Sequence, residues 1–199
     1  MKAVIAQVWP DVLERRKLTG EDRWDEIWEG VLHMAPMPNF DHQNFEWSLE
    51  TWLRTFWAVP RGCIVAHNIN LASIGGWPGK NYRIPDLVLL TPDRFHINHN
   101  EYFEGAPTAV VEIRSPDDES YEKLPFYAEL GVSEVWIIDR DTRQPEIYSL
   151  AADGEYVPLE PSSNGWLASV ATGIELRAAG NSKLAIRNVG DDETLRELP

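Results

Sequence analysis

Two carboxylates interrupt stretches of the sequence that otherwise have the pattern of buried β-strands. Asp86 lies in "YRIPDLVLL" and Glu112 lies in "TAVVEIR". Alternate side chains of a strand share one face, so each carboxylate would lie in a row of mainly apolar neighbours. A carboxylate in that position is costly unless something binds it. Two strands of one sheet, each with an acid near one end, can bring both carboxylates to one point.

A pair of neighbouring carboxylates favours a hard divalent cation, because the two negative charges otherwise repel each other. Magnesium prefers a small number of carboxylates and keeps several waters, which leaves room for a phosphate oxygen. Such an ion lowers the pKa of a bound water and stabilises charge at phosphorus. Lys123 lies eleven residues after Glu112, on a predicted helix that can fold back over the strand end. An ammonium there would orient the water or neutralise the transition state.

Each of these three residues also has a purely structural explanation. Asp86 follows Pro85 and could end a turn, since Asp is common in turns. Glu112 could form a structural ion pair with Arg114 or Lys123, and Lys123 could instead lie on a solvated helix face. The residue types alone leave both explanations open.

The rest of the chain alternates between helical and strand patterns. A short helix is predicted in "PDVLERRKLTG", and a β-hairpin in "RWDEIWEGVLHMAP" around Glu29 and Gly30. A longer helix begins after Asn39, a suitable N-cap, and carries apolar residues at i, i+4, i+7, i+8 and i+11 from Phe45. Several strands follow, and the mixture predicts an α+β or mixed α/β fold.

A later helix is predicted in "YEKLPFYAELG", with Gly131 as its stop. Pro125 lies inside this pattern, where it would remove a hydrogen bond and clash with the preceding turn. The favoured arrangement begins the helix proper near Lys123. The alternative is a capping box that starts at Ser115, followed by a kink at Pro125.

Composition limits the class of protein and the kind of partner. The chain has 199 residues, one cysteine and a formal net charge of −14. The single cysteine excludes an intramolecular disulfide and a thiol-based zinc cluster. No run approaches the roughly 18 apolar residues of a membrane helix, and the first residues do not form a convincing signal peptide. The strong acidity opposes non-specific binding to a polyanion, although residues 51–114 hold five acids against six Lys and Arg.

The central block "YRIPDLVLL … VVEIRSPDDESYEKLPFYAELGVSEVWIID" resembles the PD-(D/E)xK nuclease superfamily, and more closely its large family of Uma-type restriction endonucleases. "DEIWEGVLHMAPMPNFDHQ", "TGIELR" and "KLAIRNV" are similar to other segments of that family. The resemblance implies a restriction-endonuclease-like core, in which a central mixed sheet is flanked by helices and preceded by an N-terminal hairpin. One domain spanning residues 1–199 is expected, with an acidic C-terminal tail at about 190–199.

The same resemblance implies roles for individual residues. Asp86 and Glu112 match the metal-binding acids, and Glu26 matches an N-terminal acid near the metal. The motif lysine, two residues after the second acid, is replaced by Arg114, which cannot act as a general base. Lys123 matches a lysine displaced onto the following helix.

These observations predict a metal-dependent nuclease that hydrolyses phosphodiester bonds, with Mg²⁺ or Mn²⁺ as cofactor and DNA as the expected substrate. Lys80, Arg83 and Arg94 are predicted to contact flanking phosphates, and Arg114 and His42 to contribute to substrate binding. A cytoplasmic homodimer without a membrane segment is expected. The alternative is a catalytically silent, oligomeric interaction module that retains the nuclease fold.

Overall fold

The computed structural model describes residues 10–199, which form four helices and fifteen strands. The helices are α1 (Pro10–Thr19), α2 (Phe40–Trp52), α3 (Val59–Arg61) and α4 (Leu124–Leu130). The strands are β1 (Glu26–Trp28), β2 (Val31–His33), β3 (Ile64–His67), β4 (Asn70–Ala72), β5 (Tyr82–Arg83), β6 (Leu87–Leu90), β7 (Tyr102–Glu104), β8 (Ala109–Arg114), β9 (Glu134–Asp139), β10 (Pro145–Leu150), β11 (Tyr156–Pro158), β12 (Leu167–Ala168), β13 (Ile174–Ala179), β14 (Lys183–Asn188) and β15 (Asp191–Leu198).

The strands form three sheets. The six-stranded central sheet has the order β11-β10-β9-β8-β6-β3, in which only β8 and β9 are parallel. A five-stranded sheet has the order β2-β1-β5-β4-β7 and includes the N-terminal hairpin. A four-stranded antiparallel sheet, β12-β13-β14-β15, forms the C-terminal part. The predicted hairpin and the mixed α/β class are therefore confirmed.

Helix α2 begins as predicted, because the side chain of Asn39 accepts a hydrogen bond from the His42 amide. The predicted apolar stripe is buried from Phe45 to Leu53. Beyond Trp52 the helix continues as a π-helical segment, Leu53–Ala58. Helix α2 therefore packs against the core through its apolar stripe, and its adjacent face carries polar side chains.

The central sheet is covered on both faces. On one face, side chains of β6, β8 and β9 pack against α2 and the C-terminal sheet. On the other face, alternate residues of the same strands pack against α4 and part of the five-stranded sheet. This arrangement explains why β6, β8 and β9 are almost continuously apolar, since a strand buried on both sides has no solvent face.

Helix α4 adopts the favoured arrangement. A 3-10 turn over Tyr121–Lys123 precedes it, and Pro125 lies in the first helical turn, where its missing amide costs no helical hydrogen bond. Gly131 ends the helix with φ of 81°, a left-handed conformation that glycine adopts without strain. The alternative with a kink at Pro125 is therefore wrong.

The prediction of an acidic tail at about 190–199 is also wrong. Residues 191–198 form β15, which pairs with β14 over most of its length. Thr194 and Leu198 are buried, while three of the four acidic residues of the strand, Asp192, Glu193 and Glu197, are exposed. Within residues 10–199, no helix is long and apolar enough to cross a membrane.

Candidate active site

Lys123 joins two buried carboxylates. Its Nζ lies 2.9 Å from Glu26 Oε1 and 3.1 Å from Glu112 Oε2. All three side chains are at most 12% exposed. Burial disfavours the ammonium, but the charges of Glu112 and Glu26 more than offset it and raise the pKa of Lys123 above its ordinary value. Lys123 is therefore a fixed cation between two acids that come from distant parts of the chain.

Glu112 is held by a second donor. Strand β8 places its carboxylate on the face that α4 covers, and the hydroxyl of Tyr127 donates to Glu112 Oε1 at 2.5 Å. Burial raises the pKa of Glu112, the ammonium of Lys123 opposes this rise, and the negative charge of Asp86 adds to it. The 3-10 turn that ends at Lys123 and the helix α4 that follows it thus supply the two groups that keep the carboxylate in place.

Glu26 reaches the same site from the N-terminal hairpin. Its Oε1 accepts a hydrogen bond from the backbone amide of Ile84 at 2.8 Å, and its Oε2 accepts one from the indole of Trp28 at 2.6 Å. Strand β1 also pairs with β5, which fixes the hairpin against the chain that leads to Asp86. These contacts fix the Glu26 side chain in the site, and they exclude the alternative that Glu26 is an exposed residue of the hairpin.

Asp86 directly precedes β6 and contacts a histidine. Its Oδ2 accepts from the backbone amide of Ile113 at 2.6 Å, which ties it to the strand that carries Glu112. Its Oδ1 lies 2.9 Å from His42 Nε2. Burial disfavours the imidazolium, but the hydrogen bond and charge of Asp86, with the charge of Glu46, raise the pKa of His42.

Glu46 was not predicted as a site residue. It lies one turn after His42 on α2, is buried, and accepts a hydrogen bond from the side chain of Asn68 at 3.0 Å. Burial, reinforced by the charge of Asp86, raises the pKa of Glu46 to about 7. The spacing of His42 and Glu46, four residues apart on one helix, was the signal in the sequence.

The structure brings together a donor set different from the predicted one. Among residues 10–199, His42, Glu46 and Asp86 are the only group of three or more histidine, cysteine or acidic side chains whose donor atoms lie within 4.8 Å of one another. The predicted trio Glu26, Asp86 and Glu112 does not form such a group. Asp86 belongs to both sets and so joins the His–Glu cluster to the lysine-bridged acids.

Except for Glu46, the residues of these two sets line a cleft of about 700 Å³. Its lining includes Glu26, His42, Asp86, Glu112 and Lys123, which are all the predicted catalytic and metal-binding residues together with the predicted histidine. Their assembly in one cleft is the arrangement that the two interrupted strands and the displaced lysine pointed to.

The predicted phosphate-binding residues lie elsewhere. Lys80, Arg94 and Arg114 are not among the described residues that line the cleft. Lys80 is exposed in a loop, Arg94 lies 3.4 Å from the carboxylate of Asp93, and Arg114 donates to Asp139 Oδ2 at 2.5 Å. Their contact with substrate stays a prediction.

Arg83 is not a surface cation, which argues against its predicted contact with a phosphate; that contact stays a prediction. It is 2% exposed, and its guanidinium lies 4.2 Å from the ring centroids of both Trp28 and Phe126. It also donates to the backbone carbonyl of Ile27 at 3.1 Å. Arg83 therefore binds the hairpin to α4 through cation–π contacts, which are stronger when desolvated.

The fold is similar to that of a solved protein. A crystal structure from Anabaena variabilis ATCC 29413, described as "a putative nuclease belonging to DUF820", aligns with a TM-score of 0.57 and 18% identity over 73% of this chain and 80% of that chain. No curated protein matches the chain significantly. The sequence model described as "Uma2: Putative restriction endonuclease" matches residues 9–181, so the chain belongs to the Uma2 family.

Proposed function

We propose that this protein is a metal-dependent nuclease that hydrolyses phosphodiester bonds of nucleic acid, with DNA as the expected substrate. The observation that carries the proposal is the buried cluster of Glu26, Glu112 and Lys123 beside Asp86, in an open cleft of a Uma2 family member. A structural ion pair needs no third acid and no cleft. A cluster that keeps surplus negative charge next to solvent is suited to a cationic cofactor.

The donor atoms fit a hard divalent ion. Asp86, His42 and Glu46 supply two carboxylates and one imidazole within 4.8 Å, and Glu112 adds a carboxylate nearby. Carboxylates suit Mg²⁺ and Mn²⁺, and the imidazole makes Mn²⁺ the better match of the two. We propose that Asp86, together with Glu112 and the His42–Glu46 pair, would hold the ion. When bound, the ion would polarise the scissile phosphate and lower the pKa of an attacking water.

The protein itself contributes a fixed ammonium. Lys123 has two carboxylate partners, so its orientation is set before substrate binds. We propose that it stabilises the negative charge that develops on the phosphate oxygens, as preorganised donors do in other hydrolases. Tyr127 holds Glu112 in the rotamer that faces Lys123. Arg114, which is tied to Asp139, would not replace Lys123 in this role.

The test is a cleavage screen of duplex DNA, single-stranded DNA and RNA with Mg²⁺ or Mn²⁺, and with EDTA as the metal-free control. We expect metal-dependent cleavage by the wild type and none by Glu112→Gln. Lys123→Ala should raise the activation free energy of the chemical step by roughly 2–4 kcal/mol and leave metal affinity nearly unchanged. Glu129→Gln is the matched control, because Glu129 is an exposed acid on α4, the helix that directly follows Lys123.

The alternative proposal is an interaction module without catalytic activity. Exposed aromatic side chains on α2, Phe40 and Trp47, are the observation that favours it. Absence of cleavage with every substrate and metal, with a folded and oligomeric wild type, would make this the better explanation. The homodimer and the cytoplasmic location also stay predictions, and size measurement in solution tests the first of them.

A further inference from the structure

The cleft contains few cations with which to bind a phosphate backbone. Among residues 10–199, ten of those that line it carry acidic or basic side chains, seven acidic and three basic. The acidic residues are Glu21, Glu26, Asp86, Glu112, Asp117, Asp118 and Glu119, and the basic residues are Arg16, Lys123 and Arg140. Duplex DNA is held mainly by cations that neutralise successive phosphates. Recognition in this cleft must therefore depend on something other than a track of basic residues.

The three cations also have carboxylate partners already. Arg16 donates to both oxygens of Asp25 and is 8% exposed. Arg140 makes two hydrogen bonds to Asp141 and one to Ser115. Lys123 is the cation of the catalytic cluster. A substrate strand would therefore meet at most the catalytic ammonium and the outer edge of Arg140.

One part of the cleft is apolar and carries an aromatic ring. Trp24, half-buried at the end of the 3-10 turn Glu21–Trp24, lines the cleft together with the consecutive residues 34–38. That segment reads "MAPMP" and includes Met34 and Met37, whose flexible thioethers adapt to flat aromatic groups. The guanidinium of Arg23 lies 5.3 Å from the centroid of the Trp24 ring. The guanidinium thus lies near the ring, which is half-buried and accessible from the cleft.

We propose that Trp24 and the methionines of residues 34–38 form a base-binding subsite, which takes an unpaired base of the strand whose phosphate lies at the catalytic cluster. The inference rests on the proposed nuclease function. A cleft of about 700 Å³ has the size of a small-molecule pocket, which suits one or two nucleotides and not a duplex. Stacking on an aromatic ring requires a base that has left its own stack.

The acidic side chains of the cleft agree with this orientation. Carboxylates repel phosphates, but they accept hydrogen bonds from the amino and imino groups at the edges of bases. Asp117 is exposed in the loop after β8, and Glu21 lies in the same 3-10 turn as Trp24. A base held against Trp24 would meet acceptors at its edge, while its phosphate lies toward Lys123.

The experiment uses a single-stranded oligonucleotide with one 2-aminopurine, and a second oligonucleotide in which that position is abasic. Both carry the same phosphates, and binding is measured with the full chain carrying Glu112→Gln so that no cleavage occurs. Aromatic stacking contributes about 1–3 kcal/mol per base, which corresponds to roughly 5- to 150-fold in Kd. We expect Trp24→Ala to weaken binding of the first oligonucleotide by a factor in that range and to leave the abasic Kd unchanged.

Two controls separate stacking from loss of structure. Trp24→Phe should keep most of the affinity because it retains an aromatic face, and Trp47→Ala should keep all of it because Trp47 is exposed on α2 and does not line the cleft. Equal affinity of the Glu112→Gln protein, with Trp24 intact, for the base-containing and abasic strands would overturn the inference. Equal weakening of both strands by Trp24→Ala, or tighter binding of a duplex than of a single strand, would do the same.

The outcomes distinguish this inference from the nuclease proposal. Metal-dependent cleavage by the wild type, combined with base-independent binding, would remove the subsite and leave the nuclease. Base-dependent binding through Trp24 without any cleavage would support the subsite and remove the nuclease.

Discussion

Lys123→Met tests how much the ammonium of Lys123 stabilises the fold by compensating the charges of Glu26 and Glu112. Methionine has nearly the length of lysine and no charge, so the variant keeps most of the packing around α4. It leaves Glu26 and Glu112, at most 7% exposed, without the ammonium that lies 2.9 and 3.1 Å from their oxygens. Removing one partner of a buried ion pair leaves an uncompensated charge, which typically costs about 3–5 kcal/mol.

The cost should depend on pH in a defined direction. In the wild type, burial already raises the pKa of Glu112, and Lys123 opposes that rise. Without Lys123 the folded-state pKa of Glu112 rises further above its unfolded value, so the protonated form is the stable one. The loss of stability should therefore be small below about pH 4.3, the unfolded pKa of Glu, and should grow as pH rises through the folded-state pKa of Glu112 in the variant.

Urea denaturation in EDTA at pH 5 and pH 8 measures the loss of stability and its dependence on pH. We expect Lys123→Met to lower the free energy of unfolding by about 3–5 kcal/mol at pH 8 and by clearly less at pH 5. Adding Glu112→Gln to the variant should restore part of the loss, because the two residues are in contact and their effects are not additive. A loss below about 1 kcal/mol that is the same at both pH values would refute the assignment of Lys123 as a buried charge bridge.

Three further predictions concern other buried polar groups. Glu134→Gln should lower the free energy of unfolding by about 1–3 kcal/mol, since the carboxylate accepts hydrogen bonds from Trp136, Ser169 and two backbone amides; an unchanged urea midpoint would contradict this. In EDTA, the free energy of unfolding of the wild type should fall as pH rises from about 4.5 to about 7, because the stability that protonated Glu46 contributes is fully present below this range and is lost across it. Glu46→Gln should flatten this pH dependence, and an identical curve for the variant would contradict the raised pKa of Glu46. Arg83→Met should change DNA affinity by less than about twofold in a binding titration, and a larger loss would return Arg83 to the substrate surface.

The sequence predicted the parts of the site that follow from strand periodicity. Glu112 and Asp86 interrupt apolar rows, and strand alternation alone puts their carboxylates where an isolated charge is costly. The displaced lysine followed from the family resemblance, and the helix that carries it followed from Gly131 and the apolar spacing. Strand alternation, apolar spacing and helix-ending glycines depend on neighbouring residues alone, so predictions made from them hold in the folded chain.

Other features depend on contacts that no local pattern encodes. Arg83 was assigned to the surface from its charge, yet two aromatic rings from distant segments enclose it. Residues 191–198 were predicted to be a tail from their acidity, because a strand with one solvent-facing side has few apolar residues to mark it. Glu46 was overlooked because its neighbours form the apolar stripe of α2, and only the fold shows that the adjacent helix face meets Asp86.

The excess of acids in the cleft has a kinetic consequence. A nuclease with a basic cleft attracts its substrate over a Debye length, about 10 Å at 0.1 M salt, and associates fastest at low ionic strength. Here the part of the cleft that the structure describes is lined by seven acidic and three basic residues, and the whole chain has a formal net charge of −14. Diffusional encounter with a polyanion is therefore repulsive, and screening by salt removes the repulsion. Added salt should thus speed association, and divalent ions that collect at the acids should speed it most. A nuclease with this cleft would associate slowly with most nucleic acid and would act mainly where strands are unpaired and cations are abundant.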